Sequence, residues 1–131
     1  MRTKKIRFVN IQEAIDIHKD QIVKFEGLYG IRDLNLLISA INTPCATFGK
    51  QYLHADIFEM AAAYMYHIIK NHPFVDGNKR AGFVTALVFL QYNNITIDLT
   101  FASAYNLTIK IASSKISKEE AAQFLRSRCV N

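Results

Sequence analysis

The sequence predicts an all-α fold, a compact single-domain bundle of about six helices. Three observations lead there. Apolar residues recur at three- and four-residue spacing through much of the chain. Residues suited to cap a helix stand ahead of several of these runs. Glycine and proline are scarce, five and two in 131 residues, which leans the composition toward helix. A chain of this length buries a real core without disulfides or a structural metal, so one domain over residues 1–131 is expected.

Asn10 and Glu13 form a capping box that opens the first helix. Ile11, Ala14, Ile15, His18, Ile22 and Phe25 follow at helical spacing. His18 falls on or beside this apolar face, where a partly buried structural histidine is expected. Gly27 to Gly30 break the pattern. Asp33 caps a shorter helix through Leu34, Leu37, Ile38 and Ile41, stopped by Asn42-Thr43-Pro44. Cys45 to His54 shows no period and reads as a loop that either covers a site or joins two helices.

Asp56 and Glu59 make a box-like start to the next helix, which carries small alanines suited to close packing and core methionines Met60 and Met65. It must end near Asn71 or His72, because Pro73 pushes the residue before it out of helical backbone. Another helix starts at Asn78. Its body, AGFVTALVFLQY, is apolar nearly all round and suits the centre of a bundle. A buried strand is the rival there, given Val84, Thr85 and Val88, but the length and the residues Ala81, Ala86, Leu87 and Leu90 favour helix. Asn93-Asn94 end it, and Ile95 to Asp98 read as extended. Thr100 caps a helix through about Ala112, and Ser117 with Glu120 boxes a last one ending near Arg128.

Several function classes drop out. The net charge of +5 favours anionic partners, but the basic residues are spread along the chain and a solvated surface accounts for them. Direct nucleic-acid binding is therefore not expected. Cys45 and Cys129 form neither a CxxC nor a zinc spacing and read as reduced thiols. The basic start MRTKKIRF is not followed by a secretory apolar run. The longest apolar run, Ala81 to Leu90, is about half of a membrane span. A cytoplasmic protein without membrane attachment is expected.

The chemistry concentrates in His72 to Arg80, HPFVDGNKR, between two apolar helices. A helix starting at Asn78 offers unpaired backbone N–H groups and a positive dipole end, an anion site. Gly77 permits a left-handed turn or close approach of a ligand. Lys79 and Arg80 in the first turn oppose the macrodipole, a conflict that a bound phosphate reverses. Asp76 is the one carboxylate, enough to hold Mg²⁺ beside phosphate oxygens. His72, across the loop, is of the type that takes a proton from an attacking hydroxyl near neutral pH. Phe74 is expected to pack inward and anchor the loop. The segment lacks the leading glycine of a Walker A loop and the acids of an EF-hand, and His67, His72 and Asp76 have the wrong spacing for zinc. Composition and spacing leave two readings open, a helix–helix connector and a phosphate site.

The segment resembles the Fic/Doc signature, His-x-Phe-x-Asp/Glu-Gly/Ala-Asn-Gly/Lys-Arg, with every fixed position filled by His72, Phe74, Asp76, Gly77, Asn78, Lys79 and Arg80. GIRD at Gly30 to Asp33, the Pro44 to Gly49 stretch and the two helices flanking the signature are similar to the death-on-curing (Doc) branch. The resemblance is closest over residues 11–97 and looser over the helices at 100–128. It implies a small all-α fold that transfers part of ATP to a protein hydroxyl with Mg²⁺. By position, His72 is then the general base, Asp76 the Mg²⁺ ligand, and Gly77, Asn78, Lys79 and Arg80 the phosphate cradle.

Most Fic enzymes transfer AMP to Ser, Thr or Tyr, whereas Doc-type toxins transfer phosphate, onto a threonine of elongation factor Tu. Lys79 stands where AMP-transferring members have glycine, and Phe83 where they have a second arginine. Both imply the kinase. Pro73 and Gly77 match the AMP-transferring pattern instead. The Ser/Thr-x-x-x-Glu-Gly/Asn inhibitory motif is missing, since Ile22 precedes Glu26-Gly27. The resemblance therefore implies control by a separate antitoxin. AMP transfer is the alternative activity, and a non-catalytic nucleotide- or partner-binding module the alternative of another class.

Overall fold

The computed structural model describes residues 5–130; Met1 to Lys4 of the basic start, and Asn131, lie outside them. Among the described residues the chain forms α1 (Ile11–Phe25), α2 (Leu34–Asn42), a hairpin of β1 (Thr47–Phe48) and β2 (Gln51–Tyr52), then α3 (Ile57–Asn71), α4 (Asn78–Tyr92), α5 (Phe101–Ala112) and α6 (Lys118–Ser127). The all-α expectation of six helices holds.

The capping code operates as read at α1 and α6, while at α3 Asp56 caps the helix without the return bond from Glu59 that would close a box. In α1 the Asn10 side chain accepts from the Glu13 N–H at 2.8 Å, and Glu13 returns the bond to the Asn10 N–H at 3.0 Å. Ser117 and Glu120 repeat this at α6. Asp33, Asp56 and Thr100 accept from the N–H groups of Leu36, Glu59 and Ser103 to start α2, α3 and α5.

The centre of the bundle is α3, and this corrects the expectation placed on α4. Met60 through Met65, Ile68 and Ile69 are all buried, and α3 packs against α2, α4, α5 and α6. Ala61, Ala62 and Ala63 let those neighbours come close. The apolar run of α4 packs on α1, α3 and α5 and leaves Phe83, Val84, Leu87 and Val88 half-buried. Tyr64 of α3 also ties down the chain ahead of α1. Its buried hydroxyl accepts from the Val9 N–H at 2.9 Å and donates to the Val9 carbonyl at 3.2 Å.

The 45–54 segment is a correction as well. It holds an antiparallel hairpin, Thr47 opposite Tyr52 and Phe48 opposite Gln51, turning at Gly49-Lys50. Tyr52 lies against Phe8, which stacks on Phe89 (5.6 Å between centroids in each pair), about three turns along α4 from its start. The hairpin thus sits beside the far half of the bundle. Residues 95–98 are extended as expected and gain a partner, since Ile97 bridges Cys129 and Asp98 N donates to Arg128 O at 2.9 Å.

A histidine–lysine cluster fastens α6 to α3. The Lys118 ammonium donates to Nε2 of His54 at 3.0 Å and of His67 at 3.2 Å, in a cavity also lined by Glu59 and Glu119. Burial, then the Lys118 charge, pushes His67 down to about 4. In the unfolded chain its value returns to about 6.5, so between the two the unfolded state binds more protons. Stability is therefore expected to fall as pH drops from 6.5 toward 4. The His67 share is about 2–3 kcal/mol between pH 7 and 4.5. Urea midpoints at the two pH values check this, with His67→Gln showing the shallower loss; equal losses in both proteins exclude the cluster as the cause.

Candidate functional site

The end of α3 and the start of α4 form two lips joined by the six residues from His72 to Gly77. His72 caps α3 in left-handed backbone, φ 51° and ψ 53°, a conformation that a non-glycine residue adopts at a cost of about 1–2 kcal/mol and that clusters at functional sites. Arg32 holds it there. Its Nε donates to the His72 carbonyl at 2.6 Å and its Nη2 to the Asn71 carbonyl at 3.0 Å, satisfying orphan acceptors with a cation at the negative end of the helix. The His72 ring is left exposed.

The loop is pinned along its length. The Pro73 carbonyl accepts from the N–H groups of Arg32 (2.7 Å) and Asp33 (3.0 Å), Val75 N donates to Gly30 O at 2.9 Å, and Ile31 bridges Phe74. Phe74 is fully buried, as expected, and its ring lies flat on that of His18, with centroids 3.7 Å apart and planes 2° apart. Asn78 closes the loop from below. Its Oδ1 accepts from the Phe74 N–H at 2.9 Å and its Nδ2 donates to the Phe74 carbonyl at 3.0 Å. Those two bonds engage both ends of the side-chain amide, which is 5% exposed. An anion at this end of α4 would meet its backbone N–H rather than its side chain.

Asp76 stands on the rim. Its Oδ2 accepts from the Leu28 N–H at 3.1 Å and its Oδ1 from the Gly77 N–H at 2.8 Å. These two bonds, with the Arg80 charge, hold its carboxyl below the usual range, so it is ionised near neutral pH. Gly77, at φ 76°, precedes α4 and supplies no side-chain cap, in contrast to the residues ahead of the other five helices. Lys79 is exposed in the first turn, and Arg80 donates from Nη2 to the Glu26 carbonyl at 3.2 Å and lies over the Phe25 ring.

Of the six residues singled out in the sequence, Asp76, Gly77, Lys79 and Arg80 lie at the start of α4, His72 stands on the opposite lip at the end of α3, and the Asn78 side chain is buried beneath the loop. Sequence reasoning missed what builds that rim. Arg32 fixes the His72 lip, Leu28 orients the Asp76 carboxylate, and His18, wholly buried, reaches the Asp76 backbone from α1 at 2.7 Å. Burial holds the His18 pKa below the ordinary value against the pull of Asp76. The signal for His18 was its place on an apolar face, where an imidazole needs a polar partner.

Among the described residues no group of three or more His, Cys, Asp or Glu could hold a metal unaided. A Mg²⁺ shared with a nucleotide asks less, one ionised carboxylate beside phosphate oxygens and water. Asp76 fits that. Each of its oxygens keeps a lone pair after accepting one N–H, and Gly27 leaves the space beside Oδ2 that a Cβ, 2.8 Å away, would fill.

The Fic/DOC family profile matches residues 8–90. The chain is 29% identical over 121 residues to a protein named protein kinase Doc, from Escherichia phage P1, covering 92% of this chain and 94% of that one. It is 33% identical over 79 residues to toxin Doc of Mycolicibacterium smegmatis, covering 60% of this chain and 61% of the relative.

Proposed function

The chain belongs to the Fic/DOC family, and from that premise we propose that it is a Doc-type toxin, a kinase that moves the γ-phosphate of ATP to a hydroxyl of a translation factor and is neutralised by a separate antitoxin. By resemblance the target is elongation factor Tu. We read residues 1–131 as one Fic/Doc domain that works in the cytoplasm; no described helix is long and apolar enough to cross a membrane.

The observation that carries this reading is the start of α4. It has no side-chain cap and no acid in its first turn, yet it carries Lys79 and Arg80 there and faces the ionised Asp76. With two cations in that turn and only the Asp76 carboxylate beside it, such an end attracts a further anion. In the proposed reaction the exposed His72 imidazole accepts the proton of the target hydroxyl. The first-turn N–H groups, Lys79 and Arg80 stabilise charge on the phosphoryl group in transfer, which is most of what this chemistry requires of a protein. Asp76 would hold Mg²⁺. That ion, when bound, neutralises phosphate charge.

Around the rim Leu28, Tyr29, Ile31, Leu34 and Val75 expose apolar surface. A patch of this kind suits a protein ligand, and we assign it to contacts with the target and the antitoxin. Incubating the protein and elongation factor Tu with ATP labelled at the α or the γ position tests the reaction. The γ label is expected on the target. An α label on protein overturns the kinase reading in favour of AMP transfer, and the half-buried Phe83 at the position of the second arginine argues against that outcome.

A further inference from the structure

We propose that His18, buried in α1 and outside the reactive loop, is a positioning residue that holds the Asp76–Gly77 peptide in the orientation the phosphate cradle needs. A trans peptide is planar, with its C=O and N–H on opposite sides. The Asp76 carbonyl turns inward to His18 Nε2 at 2.7 Å. The Gly77 N–H of the same peptide is thereby turned outward, where it donates to Asp76 Oδ1 at 2.8 Å. One inward bond thus sets both the first N–H ahead of α4 and the carboxylate it orients.

Among the described residues this is the one hydrogen bond of the imidazole. A carbonyl oxygen only accepts, so Nε2 carries the proton and Nδ1 is the bare acceptor. Nδ1 is buried and has no hydrogen-bond partner among the described residues. Its plane is fixed by the flat stack on Phe74, and it lies close under the turn, 3.6 Å from where a Cβ on Gly77 would stand. Without the Nε2–H donor, the left-handed Gly77 (φ 76°) leaves the peptide ahead of it free to flip. The N–H then faces the core and Asp76 loses a donor.

The turnover part of the test rests on the kinase reading above; the structural part does not. His18→Phe keeps an aromatic ring for the stack but removes the donor. His18→Gln places an amide N–H at about the reach of Nε2. At a temperature where both variants are folded, His18→Phe is expected to lower kcat on the order of 10²-fold with the KM for the target protein unchanged, and His18→Gln to recover most of it. A merely structural role would lower both with unfolding and leave kcat per folded molecule intact. Independently of activity, the ¹H–¹⁵N resonance of the Gly77 amide is expected to move in His18→Phe and to stay near its wild-type position in His18→Gln. Imidazole ¹⁵N shifts of the wild-type protein are expected to show the Nε2–H tautomer. An unmoved Gly77 amide in folded His18→Phe overturns the proposal, as does an Nδ1–H tautomer in the wild type. If the wild-type protein transfers nothing from ATP, the kinase reading fails while these resonances still decide the role of His18. If His18→Phe does not fold, the wild-type tautomer decides it.

Discussion

Replacing His72 by alanine is expected to lower phosphoryl transfer by about 10²–10⁴-fold, the usual worth of a positioned base, and to abolish growth arrest on expression. The ring is exposed and the bonds that hold this lip reach the backbone of residue 72, from Arg32 and within α3. Stability should therefore change by no more than about 1 kcal/mol. Growth arrest that persists with a folded His72→Ala protein would mean that binding, and not transfer, is the function.

Asn78→Ala is expected to act in the opposite way, through the fold. Removing the amide leaves the Phe74 N–H and C=O without their partner in a buried setting. Two such losses cost about 2–4 kcal/mol together, which for a chain of this size lowers Tm by roughly 8–15 °C. Activity falls because the loop that carries Asp76 loosens. Thermal unfolding beside nucleotide affinity separates this from a direct ligand contact: loss of affinity at unchanged Tm would make Asn78 a ligand residue and refute its role as the loop's clasp.

What was legible in the sequence follows from how local each feature is. The capping pairs Asn10–Glu13 and Ser117–Glu120 lie three residues apart and fix helix starts without help from the rest of the chain. The choice between α3 and α4 as the central helix is not local. Both are apolar, and Ala61 to Ala63 decide it only once four neighbours are present to use the space. The hairpin escaped because two-residue strands are too short to show an alternating period.

The site divides along the same line. His72, Asp76 and the cations occupy nine consecutive residues and could be read together. Arg32 and His18 reach them from 40 and 58 residues away, and nothing in the sequence within His72 to Arg80 announces either. The candidate reactive residues could be seen together in the sequence, while the residues that support them could not. The bonds from Arg32, Leu28 and His18 run to backbone or to one carboxylate, and backbone partners leave no residue-type signature.

The position of the hairpin gives this division a further meaning. Its exposed Gly49-Lys50 turn falls between the segment that supplies His18, Leu28 and Arg32 and the segment that supplies His72, Asp76 and Arg80. Severed there, the chain would become two fragments, one with the supporting residues and the other with the reactive ones, rejoined by the β1–β2 pairing, the packing of α2 on α3 and of α1 on α4, and the contacts of the segment ahead of α1. If the proposed transfer reaction is right, it would then depend on the two fragments meeting.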